Sequence, residues 1–291
     1  MKIRVSAITD VGIVRTNNED AVLVCPNLEK QNWGETESKD YLSLGKYGAM
    51  LVVADGMGGA NAGEIASSIA IDTVKNYFSQ NRLGESELSE KTAYGLLLEA
   101  ITLSNKAIME HVETDSDSIG LGTTIVITWI IEDKAYIAWC GDSRCYCYNP
   151  VNGLRPLTKD HSYVQELVDE GAITPKQAFN HPDSNIITKC LGDVDAATEP
   201  DIITYQLNDE DLLLSCSDGL CGYCDDKAIE KVLLNNFDNL SECKDNLLKL
   251  AMTAGGQDNI TIALCATLPD NQQTPTVDSF TIMKRFIKNI F

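Results

Sequence analysis

Basic residues are scarce in this chain of 291: 23 Lys and Arg stand against 43 Asp and Glu, a formal net charge of −20. Such a surface repels the phosphate backbone, so nucleic acid is not an expected partner. No run of 18 apolar residues occurs, and no transmembrane helix is expected. The opening segment Met1-Lys2-Ile3-Arg4-Val5-Ser6 lacks the apolar core of a secretory signal. The expectation is therefore a cytoplasmic protein whose ten cysteines stay reduced. Cys221-Gly-Tyr-Cys224 has a zinc-like or redox-like spacing, but its only close companion, Cys145-x-Cys147, is too tight for a second knuckle.

What the chain does have is many short apolar runs rich in β-branched residues. They fall at 21–24, 50–54, 123–131, 135–140, 202–207, 212–216 and 259–266, each bounded by Gly, Asp or Asn, and predict strands of a β-rich core. Helical spacing recurs between them. Ala62–Phe78 places Ile65, Ile69, Ile71, Val74 and Phe78 near one face, and segments 96–112, 228–234 and 243–252 repeat apolar residues every three or four positions. Grouped strands followed by paired helices predict an α+β fold of antiparallel sheets covered by helices, not a regular βαβ alternation. Residues 26–48 are expected as an exposed loop, and 159–200, helical without strand signals, as a lid.

Four aspartate-centred segments stand against apolar runs: Asn18-Glu19-Asp20, Asp55-Gly-Met-Gly-Gly59, Ser217-Asp218-Gly219 and Asp258-Asn259. Asp142, in Cys140-Gly-Asp-Ser-Arg144, makes a fifth acid at a strand edge. Singly, Asp55-Gly56 and Asp218-Gly219 are ordinary turn dipeptides. Together they offer an oxygen-only ligand set, which selects hard cations such as Mg²⁺ or Mn²⁺, and paired hard cations suit phosphoryl hydrolysis. Arg15, a few residues before Glu19 and Asp20, carries a planar fork able to hold two phosphate oxygens. Candidate ligands run from Asp20 to Asp258, so one domain over residues 1–268 is expected.

These motifs, with Gly122-Thr-Thr124, Gly141-Asp-Ser-Arg144, Ser217-Asp-Gly-Leu220 and Asp258-Asn-Ile-Thr261, resemble in order those of the metal-dependent type 2C serine/threonine protein phosphatases, bacterial branch, from about residue 5 to residue 267. Leu157-Thr-Lys-Asp-His-Ser162 and Ile187-Thr-Lys-Cys-Leu-Gly192 resemble the segments that bound the flap of bacterial members. The resemblance implies an α-β-β-α sandwich of two antiparallel sheets flanked by helix pairs, with a small flap at about 159–200 and a binuclear Mn²⁺ or Mg²⁺ centre. It implies that Asp55 bridges both cations, the Gly56 carbonyl completes the first, and Asp218 and Asp258 hold the second. Asp20 and Glu19 would act mainly through water, Asn259 would support them, and Arg15 would clamp the phosphate. Asp142, with Asp218, would hold a third, weaker cation.

The implied activity is hydrolysis of phosphoserine and phosphothreonine on proteins, the products of a Ser/Thr kinase, by attack of activated water. Met57 stands where many eukaryotic relatives have a proposed proton-donating His, leaving water as the first candidate donor and His161 as the second. Bacterial members commonly carry His after Asp-Gly-Met-Gly-Gly, where this chain has Ala60-Asn61. Two other readings are a phosphatase-shaped binding or regulatory module, and a dedicated phosphatase for one phosphoserine partner. After the linker 269–275, residues 281–291 place Lys284, Arg285 and Lys288 among Ile282, Met283, Phe286, Ile287, Ile290 and Phe291, a short basic amphipathic segment expected to dock on a partner, a membrane surface or the acidic body.

Overall fold

Strands that are apolar at nearly every position need cover on both faces. The computed structural model, which describes residues 1–58, 63–79, 83–84, 88–114, 120–193 and 198–268, supplies it with two antiparallel sheets packed face to face. The first runs in the order β3 (Leu42–Ser43), β1 (Lys2–Asp10), β12 (Ile260–Leu268), β11 (Leu212–Cys216), β8 (Arg144–Asn149) and β9 (Gly153–Pro156). The second runs β10 (Asp201–Gln206), β7 (Lys134–Cys140), β6 (Ile125–Ile131), β4 (Ala49–Met57) and β2 (Asp20–Cys25), with the short β5 (Gly122–Thr123) against the end of β4.

Helices cover each outer face. The pair α1 (Gly63–Ser79) and α2 (Glu90–Thr114) lies on the second sheet, and α6 (Asp226–Asn236) and α7 (Leu240–Thr253) lie on the first. The period of two along a strand divides its side chains between these layers. In β4, Met50, Val52 and Ala54 meet the helices, while Ala49, Leu51 and Val53 meet the opposite sheet. In β11, Leu212, Leu214 and Cys216 pack outward and Leu213 packs inward. A slip of one residue in either strand would exchange its two faces. Trp129, fully buried on β6, meets Phe78 of α1 edge-on at 5.1 Å. Truncating either ring to Ala would cost about 3–5 kcal/mol.

Helix starts are set by side-chain caps. Asp225 accepts from the Ala228 N–H before α6, and Asn239 from the Glu242 N–H before α7. Between β9 and β10 lie two short helices, α3 (Tyr163–Asp169) and α4 (Pro175–Phe179). Ser162 caps α3, and Thr174 with Gln177 forms a capping box on α4.

Two expectations need correction. Residues 26–48 are not simply an exposed loop: Leu28 is fully buried, β3 pairs with Lys2–Ile3 of β1, and the Ala7 N–H donates to the Thr36 carbonyl. The segment covers the free edge of β1, which would otherwise present unpaired backbone groups. The run 123–131 is not one strand but two, β5 and β6, because Thr124 turns its backbone N–H and its hydroxyl toward Asp55. All ten cysteines are free and buried, Cys221 and Cys224 within the core between the first sheet and α6–α7. No helix among the described residues is long and apolar enough to cross a membrane. The segment expected at 269–291, and Gly59, Ala60 and Asn61, lie outside the described residues.

Candidate metal centre

The registers of the two sheets bring the five strand-edge aspartates to one end of the sandwich. Asp20 and Asp55 are direct partners across β2 and β4. Asp142 lies in the turn from β7 to β8, Asp218 opens the short α5 (Asp218–Cys221) after β11, and Asp258 precedes β12, where Asp10 of β1 pairs with Ile260. Each carboxylate thus leaves its strand at the same rim. Ladder hydrogen bonds close these separations within each sheet, and the face-to-face packing of the two sheets closes the 238 residues between Asp20 and Asp258.

Hydroxyl groups and one amide hold the backbone there. The Asp55 N–H donates to Thr124 Oγ1, and the Thr124 N–H and Thr123 Oγ1 both donate to the Asp55 carbonyl. Thr124 Oγ1 and Ser143 Oγ lie 2.7 Å apart, which ties the Asp55 strand end to the Asp142 turn. Ser217 Oγ donates to Asp20 Oδ2 at 2.6 Å and accepts from the Thr261 N–H. Asn259 has a larger part than its place beside Asp258 suggests. Its Oδ1 accepts from the Glu19 N–H at 2.7 Å, and its Nδ2 donates to the Val11 and Asn17 carbonyls, so one side chain fastens both ends of the 11–19 loop. Gly56 is buried so tightly that a Cβ would lie 2.1 Å from the Gly63 carbonyl oxygen and 2.5 Å from that of Glu19. Only glycine admits this approach.

The carboxylates themselves are poorly satisfied. Asp20 is buried, Asp55, Asp142 and Asp218 are partly exposed, and the oxygens Asp20 Oδ1 and Asp218 Oδ1 are buried without a hydrogen-bond partner. Burial first, and neighbouring carboxylates after it, push Asp55 and Asp142 well above the usual carboxylate range. Burial also pushes Asp20 up to about 7 despite the Ser217 and Thr261 contacts, and Asp218 to about 6. The Asp55 and Asp218 carboxyls face one another closely enough that Asp218 helps to raise Asp55. Unpaired oxygens and carboxyls in contact are the arrangement a cation resolves, and the all-oxygen donor set fits a hard divalent ion. Among the described residues no three Asp, Glu, His or Cys side chains close a ligand set by themselves, so backbone and water oxygens would have to complete the coordination.

Arg15 reaches the same rim, half-exposed, with Nη2 2.8 Å from Asp258 Oδ2. Its second face is open to solvent. His161 does not join the carboxylates. Its Nδ1 accepts from the Gly141 N–H, its Nε2 lies 3.3 Å from Asp201, and its ring stacks on Trp139. Arg144 is held in a bidentate pair with Asp160 at 2.7 Å. Sequence reasoning passed over Tyr223, whose phenol is pushed up by burial and then by Asp218 and Asp258, and which therefore stands by the cluster. Its only signal in the sequence was its place five residues after Asp218.

The family model described as protein phosphatase 2C matches residues 36–255. The chain belongs to the protein phosphatase 2C family. Asp55, Asp142 and Asp218 lie inside the matched span, while Arg15 to Asp20 and Asp258 flank it. The serine/threonine phosphatase stp of Listeria welshimeri is 35% identical over 256 residues, 88% of this chain and 92% of the relative. Among solved structures, Stp1 from Staphylococcus aureus has a TM-score of 0.78 at 34% identity, covering 91% of this chain and 95% of that one. The catalytic domain of PstP in complex with two manganese ions has a TM-score of 0.72 at 30% identity, covering 92% and 99%. This member of the 2C family is accordingly a metal-dependent phosphatase with the two-sheet architecture of those neighbours.

Proposed function

We propose that this protein phosphatase 2C member hydrolyses phosphoserine and phosphothreonine on proteins phosphorylated by a Ser/Thr kinase, at a centre of two divalent cations, Mn²⁺ or Mg²⁺. The observation that carries the reading is the convergence of Asp20, Asp55, Asp218 and Asp258, with orphaned oxygens, beside the half-exposed fork of Arg15. Asp55, the Gly56 carbonyl, Asp218 and Asp258 would hold the two ions, Asp20 and Glu19 would act beside them through water, and Asp142 with Asp218 would hold a third, weaker one. When bound, such ions supply Lewis-acid charge against the phosphate and lower the pKa of water.

The chain's own residues do the positioning. Arg15 swings its free nitrogens onto two phosphate oxygens while Asp258 anchors its Nη2, an arrangement that favours the dianion and fixes its orientation. Ser217 holds the Asp20 carboxylate through Oδ2, and Asn259 holds the backbone that carries Glu19. No side chain serves as nucleophile: burial pushes Cys145 and Cys190 to about 11, and the other thiols are equally enclosed. His161 is committed to Gly141, so its proton sits on Nε2 facing Asp201 and the leaving alkoxide takes its proton from water. A module that only binds phosphopeptides has no need of the Asp55 and Asp218 pair.

The test is initial-rate hydrolysis of a phosphothreonine peptide by metal-stripped protein, with Mn²⁺, Mg²⁺ or nothing restored, beside Asp55→Asn. Metal-dependent turnover absent from the variant supports the reading. A folded, Mn²⁺-binding protein inert towards every phosphopeptide would point instead to a binding module.

A further inference from the structure

The loop that carries the phosphate clamp also carries two apolar side chains in the open. Ile13 is 64% and Val14 56% exposed, immediately before Arg15, and Tyr223 is 40% exposed five residues after Asp218. Exposed aliphatics on a loose loop would mean little. This loop is not loose. The Ile13 and Val14 N–H groups both donate to the Gly256 carbonyl, at 2.8 and 3.2 Å, and Gly12 accepts no side chain because a Cβ there would lie 2.3 Å from the Asp258 carbonyl oxygen. Asp10 Oδ1 accepts from the Gly12 N–H, and Asn259 holds the loop at Val11 and Asn17. The backbone under Ile13 and Val14 is therefore fixed to the segment that bears Asp258, and their side chains are presented in a set position beside the Arg15–Asp258 pair.

We propose that Ile13, Val14 and Tyr223 form an apolar shelf that receives a hydrophobic residue next to the phosphorylated Ser or Thr of the substrate. The inference rests on the phosphatase reading above and extends it to substrate choice. Ile13 and Val14 immediately precede Arg15 in the chain, so a substrate whose phosphate lies on Arg15 has them beside it. Its surroundings are Glu19, Asp258 and Asp218, and the whole body carries −20, which disfavours an acidic neighbour. A rigid shelf costs little ordering entropy when it is covered, so the area removed from water is recovered as affinity.

The experiment compares phosphothreonine peptides carrying Leu or Gln, alike in size and uncharged, at the positions flanking the phosphoresidue, with p-nitrophenyl phosphate as a substrate that has no flanking residues. All are assayed with Mn²⁺ on the full chain, on the double variant Ile13→Ser with Val14→Ser, and on Tyr223→Ala. The unaltered protein should prefer the Leu peptides in kcat/KM by about tenfold, the change that about 1.4 kcal/mol produces. The variants should lose most of that preference, chiefly through KM, and lose more on the Leu peptides than on p-nitrophenyl phosphate. Equal kcat/KM for Leu and Gln peptides in the unaltered protein, or an undiminished preference in both variants, overturns the shelf while leaving the phosphatase intact. Failure to turn over p-nitrophenyl phosphate and every peptide with Mn²⁺ overturns the phosphatase reading, and the shelf with it.

Discussion

Strand β11 lies between two aspartates, Asp211 just before it and Asp218 just after it, and their surroundings could hardly differ more. Asp211 is fully buried, yet its Oδ1 accepts from Asn149 Nδ2 at 2.8 Å and its Oδ2 from the Asn208 N–H at 2.7 Å and the Tyr205 hydroxyl at 2.9 Å. Its carbonyl takes the Thr267 N–H and hydroxyl as well. Asp218 has a buried oxygen with no donor and faces Asp55 and Asp258 instead. A buried carboxylate ringed by donors fastens a turn. One ringed by other carboxylates raises the folded state's free energy until a cation arrives. The same residue type on one strand thus reads as scaffold at one end and as chemistry at the other, and only the neighbours distinguish them.

The comparison breaks most sharply at Asp55. Replacing it with Asn should lower kcat by at least about a thousandfold, since it removes charge from the reacting centre, while leaving the melting temperature equal or higher. Steady-state rates with saturating Mn²⁺ and a thermal melt on the same sample check both halves. Arg15→Ala should cost about a hundredfold in kcat/KM, most of it in KM, read from full Michaelis curves on a phosphopeptide. Asp211→Ala should do the opposite of both: urea unfolding should show a loss of about 2–4 kcal/mol because Asn149, Asn208 and Tyr205 lose their acceptor, with kcat little changed in the folded fraction. A fall in kcat without a stability loss would mean that the scaffold end of β11 is not what it looks.

The smallest effect sharpens the chemistry end. Asp20 and Asp218 have folded pKa values raised to about 7 and about 6, so without metal their contribution to stability is complete below the unfolded value near pH 4 and is lost as pH rises towards 7. Divalent ions bind the ionised form, so the stabilisation by Mn²⁺ over EDTA should be larger at pH 7.5 than at pH 5, by a few degrees in melting temperature. An equal shift at both pH values would remove these carboxylates from the ion site.

Much of the architecture was legible because apolar runs buried on both faces leave an unbroken signature. Segment 212–216 is recovered residue for residue as β11, and 135–140 and 202–207 within a residue as β7 and β10. β1 escaped notice because its buried Ile3 and Val5 alternate with Lys2, Arg4 and Ser6 and never make a run. β8, Arg-Cys-Tyr-Cys-Tyr-Asn, contains no Val, Ile or Leu and so makes no aliphatic run, and its burial is conferred only by packing. The break at Thr124 was invisible because its cause, the Asp55 backbone, lies 69 residues away.

The sequence by itself determined which residue types stand at the strand ends: aspartates after apolar runs, glycines where backbones must touch, an arginine beside two acids. Those are local choices, and local patterns record them. Only the tertiary structure decided which aspartate is satisfied and which is not, that Asn259 fastens the Arg15 loop from 242 residues away, that His161 is spent on Gly141, and that Ile13 and Val14 stand exposed beside the clamp. Hydrogen-bond satisfaction and exposure depend on which distant groups the registers bring within about 3 Å, and no single segment of chain contains that information.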